Sequence, residues 1–99
     1  MTHYNLNLKI NNCYNLLKET NIEMYKKLNM TSLIIMSYKL ILNNLKMEID
    51  KIYDENLIIE KYENSFNFRF QKDILFDKIY NLESSISYLK LFFMTMSRV

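Results

Sequence analysis

Leu75-Phe76-Asp77-Lys78-Ile79-Tyr80-Asn81-Leu82-Glu83-Ser84-Ser85-Ile86-Ser87-Tyr88-Leu89-Lys90-Leu91-Phe92-Phe93-Met94-Thr95-Met96 is the stretch that decides the fold. Leu75, Ile79, Leu82, Ile86, Leu89, Phe93 and Met96 recur at alternating spacings of four and three without a miss. That is the heptad seam of an amphipathic helix. Asp73 near its start and Arg98 near its end suit the positive and negative ends of the helix dipole. The pattern predicts a helix over about 72–97.

Working outward, a second seam of threes and fours runs through Ile35, Tyr38, Leu42, Leu45, Ile49 and Ile52. Thr31 or Ser32 is placed to cap it, so a helix is predicted over about 33–54. Its first half, Leu33-Ile34-Ile35-Met36 with Leu40-Ile41-Leu42, is apolar on nearly every face. Such a half-helix belongs at the centre of a bundle or under a partner. The two helices are each about 30 Å long at ~1.5 Å rise per residue.

The N-terminal third is less regular. Leu6, Ile10, Cys13, Leu17, Met24 and Leu28 form a helical stripe, while Thr20-Asn21-Ile22-Glu23 matches a capping box. The box predicts one helix ending near Glu19 and another starting at Asn21. Tyr4 to Ile10 also alternates with period two, as a strand does, and so does Phe66-Asn67-Phe68-Arg69-Phe70. Read as helix, the second segment gives a stripe of Ile59, Tyr62, Phe66 and Phe70, with a turn at Asn64-Ser65. A two-stranded ribbon is marginal in water, and helix is the preferred reading for both. The expected fold is one all-α domain over 1–99, a small bundle of three to five helices. One or two shorter N-terminal helices pack across the long pair, and a short helix connects that pair.

Composition agrees. The 99 residues include 12 Ile, 14 Leu, 8 Tyr and 6 Phe, and hydrophobic residues make up 49%. There is no Gly, Pro, Trp or Ala and a single Val. Without Gly, hairpin turns lose their usual residues, and Asn is left to serve as the left-handed residue at helix ends. Gly, Pro and Ala codons all begin with two G or C bases. Their joint absence beside 13 Asn and 11 Lys points to a very AT-rich genome.

The net charge of +2 gives no strong nucleic-acid signal. It divides into +4 over residues 1–46, −4 over 47–64 and +2 over 65–99. One cysteine excludes an intrachain disulfide and suits a reducing intracellular compartment, cytoplasm or organelle matrix. No secretory signal is visible at His3, Asn5 and Asn7. The longest apolar stretch, Leu33 to Leu42, contains Ser37 and Lys39 and is about half the ~20 residues of a membrane span.

No catalytic or metal set emerges, and no cofactor or small-molecule substrate is implied. His3 is a terminal residue. Cys13 lies on an apolar stripe as a structural thiol. Asp50, Asp54, Glu55, Glu60 and Glu63 lack the Glu-x-x-His partners of di-metal bundles and the central Gly of a calcium loop. They read as a solvated helix end and connector. Lys18, Lys26 and Lys27, with Lys9, Lys39, Tyr4, Tyr14 and Tyr25 nearby, are the candidate nucleic-acid contacts of an alternative RNA-binding role.

The strongest departure from an ordinary monomer is apolar excess. Leu91, Phe92 and Met94 lie off the C-terminal seam, and between Ser84 and Ser97 only Lys90 is charged. Leu40, Ile41 and Met47 add to the excess. A chain of about 100 residues has too little body to cover all of these faces. Leu40, Ile41, Leu91, Phe92 and Met94 are therefore the expected contacts for a protein partner or a homo-oligomer. The expected role is a non-enzymatic helical subunit or adaptor.

Thr31-Ser32-Leu33-Ile34-Ile35-Met36-Ser37-Tyr38 also resembles the first core helix of flagellin-specific secretion chaperones. The resemblance implies a helical bundle that shields the C-terminal helices of unassembled flagellin. It covers a dozen residues, without the Pro that follows the capping Ser or the acidic-Gly pair that follows the Tyr, and it carries over no site residues.

Overall fold

The computed structural model describes residues 6–29, 31–62 and 67–98. Three helices pack together, α1 (Leu6–Lys27), α2 (Leu33–Glu60) and α3 (Phe68–Thr95), with no strand among the described residues. Tyr4 and Asn5 of the N-terminal alternation, His3, Glu63, the Asn64-Ser65 turn and Phe66 lie outside those residues.

Side-chain contacts give the topology. Lys9 pairs with Glu83, Glu19 with Lys90, and Lys27 reaches the Met96 carbonyl, so α1 and α3 run parallel. Tyr14 meets Asp50 and Tyr25 lies under the Lys39 ammonium, so α2 runs against α1. The bundle is a rod of 53 × 22 × 15 Å. Its radius of gyration, 15.9 Å, exceeds the about 13 Å of a compact chain of this length.

The core is where three heptad stripes meet. α1 contributes Leu6, Ile10, Cys13, Leu17, Thr20 and Met24, α2 contributes Ile35, Leu42, Ile49, Ile52 and Asn56, and α3 contributes Lys72, Leu75, Ile79, Ile86 and Phe93. Tyr38, Leu45, Leu82, Leu89 and Met96 pack against this core half-buried.

Four expectations need correction. First, α1 is one continuous helix, because Thr20 continues the four-three spacing of its stripe and is fully buried. The Thr20 hydroxyl donates back to the Leu16 carbonyl at 2.7 Å, and Glu23 pairs with Lys26, so the capping-box side chains are otherwise engaged. Second, no separate helix connects the long pair among the described residues. α2 extends to Glu60 and α3 begins at Phe68, which puts Asp73 beyond the first turn, away from the dipole end. Third, no described residue takes a positive φ, so no described Asn serves as a left-handed cap. α2 instead closes by tightening, with the Lys61 N–H on Ile58 and the Tyr62 N–H on Ile59, as helix ends often do. Fourth, the first half of α2 is not central, since only its core stripe is buried. The start of α2 does follow expectation, with Ser32 Oγ accepting from the Ile35 N–H at 3.1 Å.

Cys13 is fully buried, and its thiol donates to the Ile79 carbonyl at 3.7 Å. Burial, then the Glu83 charge, push the thiol up to about 11, against a smaller opposing effect of Lys9. It is inert at neutral pH. The folded value lies above the unfolded one, so this contribution to stability is intact at neutral pH and fades as pH rises past the ordinary thiol range. Native protein is expected to resist a thiol reagent at pH 7.5 and to label in full in denaturant. Rapid labelling of the native chain would contradict this burial.

Candidate interaction surface

The surface starts from the α2/α3 seam. Lys78 and Glu55 pair across it at 3.7 Å. One heptad further along this antiparallel pair, Glu48 lies opposite Ser85, and both line the same groove. The next heptad sets Ile41 opposite Phe92. The Tyr38 ring, 6.0 Å from Phe92 and 5.0 Å from Phe93, confirms that level. The charged rail along the seam therefore gives way to an apolar one toward the end where α2 begins and α3 finishes.

All five candidate contacts are exposed, from 44% for Ile41 to 61% for Leu40. The heptad spacing sets two of them, Ile41 and Phe92, at one level of the α2/α3 seam. Leu40 and Leu91, one residue earlier, lie about 100° round their helices from that seam. Met94 is set apart, because Phe92 and Met94 fall on opposite sides of buried Phe93. Its carbonyl faces Lys27 of α1 at 3.5 Å. Leu91 reaches a broad groove between α1 and α3 of about 720 Å³, lined also by Leu16, Tyr80, Tyr88, Ser84 and Ser87.

Apolar exposure extends beyond the five candidate contacts. Leu33, Ile34 and Met36 open toward solvent on α2. At the opposite end, Ile58 and Ile74 line a groove of about 290 Å³ with Ile59 and Leu75. Ile58 lies off the core stripe beside Ile59, and that adjacency was the available signal. The surface totals 6952 Å², against about 6,000 Å² for a compact monomer of this mass.

The basic set is largely occupied within the chain. Lys26 pairs with Glu23 at 3.5 Å, Lys9 with Glu83 at 3.1 Å, and Lys39 sits over the Tyr25 ring. Lys27 donates to the Met96 carbonyl at 3.1 Å. Lys18 is exposed on α1. Tyr14 donates to Asp50 rather than standing open for stacking. Among the described residues no group of three or more His, Cys, Asp or Glu is placed to hold a metal ion. None of the described helices is long and apolar enough to cross a membrane.

The acids are not simply a solvated end. Asp50 accepts from Tyr14 and from Lys46, the latter at 3.2 Å. The Tyr14 bond, aided by Lys46 against partial burial, holds the Asp50 carboxyl below its ordinary range. Burial and the Asp50 bond push the Tyr14 phenol upward. Glu60 pairs with Lys72 at 2.7 Å. Lys72 is itself nearly sealed and donates to buried Asn56, which donates to Asn7 at 2.8 Å. Asn56 and Lys72 continue the spacing of their seams, but their polarity hid them.

The lowered Asp50 carboxyl sets a pH expectation. A folded carboxyl below its unfolded value contributes stability above about pH 4 and loses it as pH falls further. Tyr14→Phe is expected to shrink the drop in urea midpoint between pH 6 and pH 3. Asp50 is part-exposed, so the change is modest. An unchanged pH profile in Tyr14→Phe would remove this bond from the account.

These features define a three-helix rod with an apolar face left open along one seam. Compared with known proteins, the chain matches no family model, no curated protein and no solved structure. The likeness to flagellin chaperones thus rests on that dozen-residue stretch alone.

Proposed function

We propose that the chain is a non-enzymatic protein–protein interaction module, a small helical subunit or adaptor of a larger assembly in a reducing intracellular compartment. The observation that carries this reading is the exposure of Ile41 and Phe92 at one level of the α2/α3 seam, with Leu40 and Leu91 also exposed on their helices. Exposed faces of this kind mark interfaces when they are continuous and rimmed by charge. Glu48, Lys51 and Lys78 supply that rim further down the same seam. The long amphipathic helices α2 and α3 present the face, and a partner helix covering it gains about 25 cal/mol per Å² of apolar area. Buried Cys13, a free thiol, supports the reducing setting.

The test is the mass of the native complex from the source cell. The chain is expected to migrate well above its own 12.1 kDa. Ile41→Glu and Phe92→Glu should each weaken that association by about thirtyfold or more, as central apolar contacts do. A native chain that runs alone, or a complex indifferent to both changes, overturns the proposal.

A further inference from the structure

The exposed side of α2 carries a second heptad stripe. Leu33, Met36, Leu40, Asn43 and Met47 follow spacings of three and four, and all five are exposed. This stripe lies away from the core residues Ile35, Leu42 and Ile49, so α2 has one seam satisfied within the chain and one left open. A coiled-coil seam without a partner inside its own bundle calls for another helix.

We propose that the partner of this stripe is a second copy of the chain, with two α2 helices packed antiparallel about a two-fold axis near Leu40. This rests on the interaction-module reading and deepens it, because self-pairing through α2 leaves the Phe92 rail on each copy for a further partner.

Area and charge carry the choice of occupant. Leu33 is 80% exposed, and Met36, Leu40 and Met47 are each about 60% exposed. Covering these four on both copies removes on the order of 1,000 Å² in all, the lower bound of a specific interface. Only one polar residue, Asn43, interrupts the stripe. Such a residue costs stability and sets register. Below Met47 the same faces carry Asp50 and Asp54. A parallel pair in register would set each of these acids against its own copy, and like charges so placed repel. An antiparallel pair matches the apolar half with itself. It also carries Asp50 past the start of the partner α2. That first turn has no acidic residue of its own, and its free N–H groups favour negative charge.

The experiment is sedimentation equilibrium on the purified full chain. A dimer is expected at micromolar concentration. Leu40→Glu, which sets two carboxylates face to face on the axis, should weaken it by about a hundredfold and leave helix content unchanged. Phe92→Glu should leave the dimer intact. Orientation is read by disulfide trapping. Leu33→Cys mixed with Met47→Cys should cross-link, and Met47→Cys with itself should not. A monomer at 100 µM, or a dimer insensitive to Leu40→Glu, overturns the pairing while the native-complex test of the module stands apart. A dimer broken by Phe92→Glu alone assigns self-association to the rail and rejects the α2 stripe. A self-linked Met47→Cys rejects the antiparallel arrangement.

Discussion

Phe93→Ala is expected to cost about 3–5 kcal/mol, the largest loss from any single core truncation in this chain. Phe93 is fully buried at the end of the bundle where α2 starts, with the Tyr38 ring edge-on at 5.0 Å and the Phe92 ring at 5.6 Å. Truncation removes both ring contacts and leaves a void that helix ends on three sides are poorly placed to fill. Domains of this size have about 5–15 kcal/mol in total, so the midpoint of thermal unfolding should fall by roughly 15–30 °C. The neighbouring Phe92→Ala is the control. Phe92 is 46% exposed, and its truncation in the free chain should cost well under half as much. Urea unfolding followed by circular dichroism reads both. Equal losses would mean that Phe92 belongs to the core, and the rail would then lose its centre.

The pair also shows what was legible in the sequence. Phe93 lies on the four-three spacing and Phe92 does not, and that alone separated a buried ring from an exposed one. The same spacing located the stripes of α2 and α3 and most of α1. It failed wherever a polar residue occupied a seam position. Thr20 was read as a cap, although it lies four residues before Met24 and three after Leu17. Asn56 and Lys72 each stand on their stripe, but no apolar side chain marks either position as core. Spacing reports geometry, whereas the identity of a residue reports its cost when unpaired, and here hydrogen bonds to Leu16, Asn7 and Glu60 remove that cost. The open face was legible only as excess. Which apolar residues lie outside depends on how many helices share the core, and three helices leave more of α2 uncovered than the four or five also allowed by the sequence.

Lys72→Ala carries the second large expected effect, and it tests what the polar layer does. Lys72 is 3% exposed and Asn56 1%. Removing the ammonium leaves the Asn56 carbonyl buried without its donor, worth about 1–3 kcal/mol. Losing the ammonium that sits over the Phe68 ring adds to this, for a total of about 2–4 kcal/mol. Glu60 adds little, since its side chain is 43% exposed and regains water. The double change Lys72→Met with Asn56→Leu should behave differently. It replaces the layer by apolar side chains, and such replacements of buried polar sets are often neutral or stabilising. Asn7, exposed on α1, then bonds to water. The double variant should therefore match or exceed the native chain in urea, and a double-mutant cycle would give a large favourable coupling. What it should lose is register. With every seam position of α2 and α3 apolar at that end, a slip of one heptad no longer buries an unpaired lysine, and broadened amide resonances near Asn56 are the expected sign. If the double variant is as unstable as Lys72→Ala, the layer stabilises the fold in its own right. If it is stable with sharp resonances throughout, packing alone holds α2 against α3.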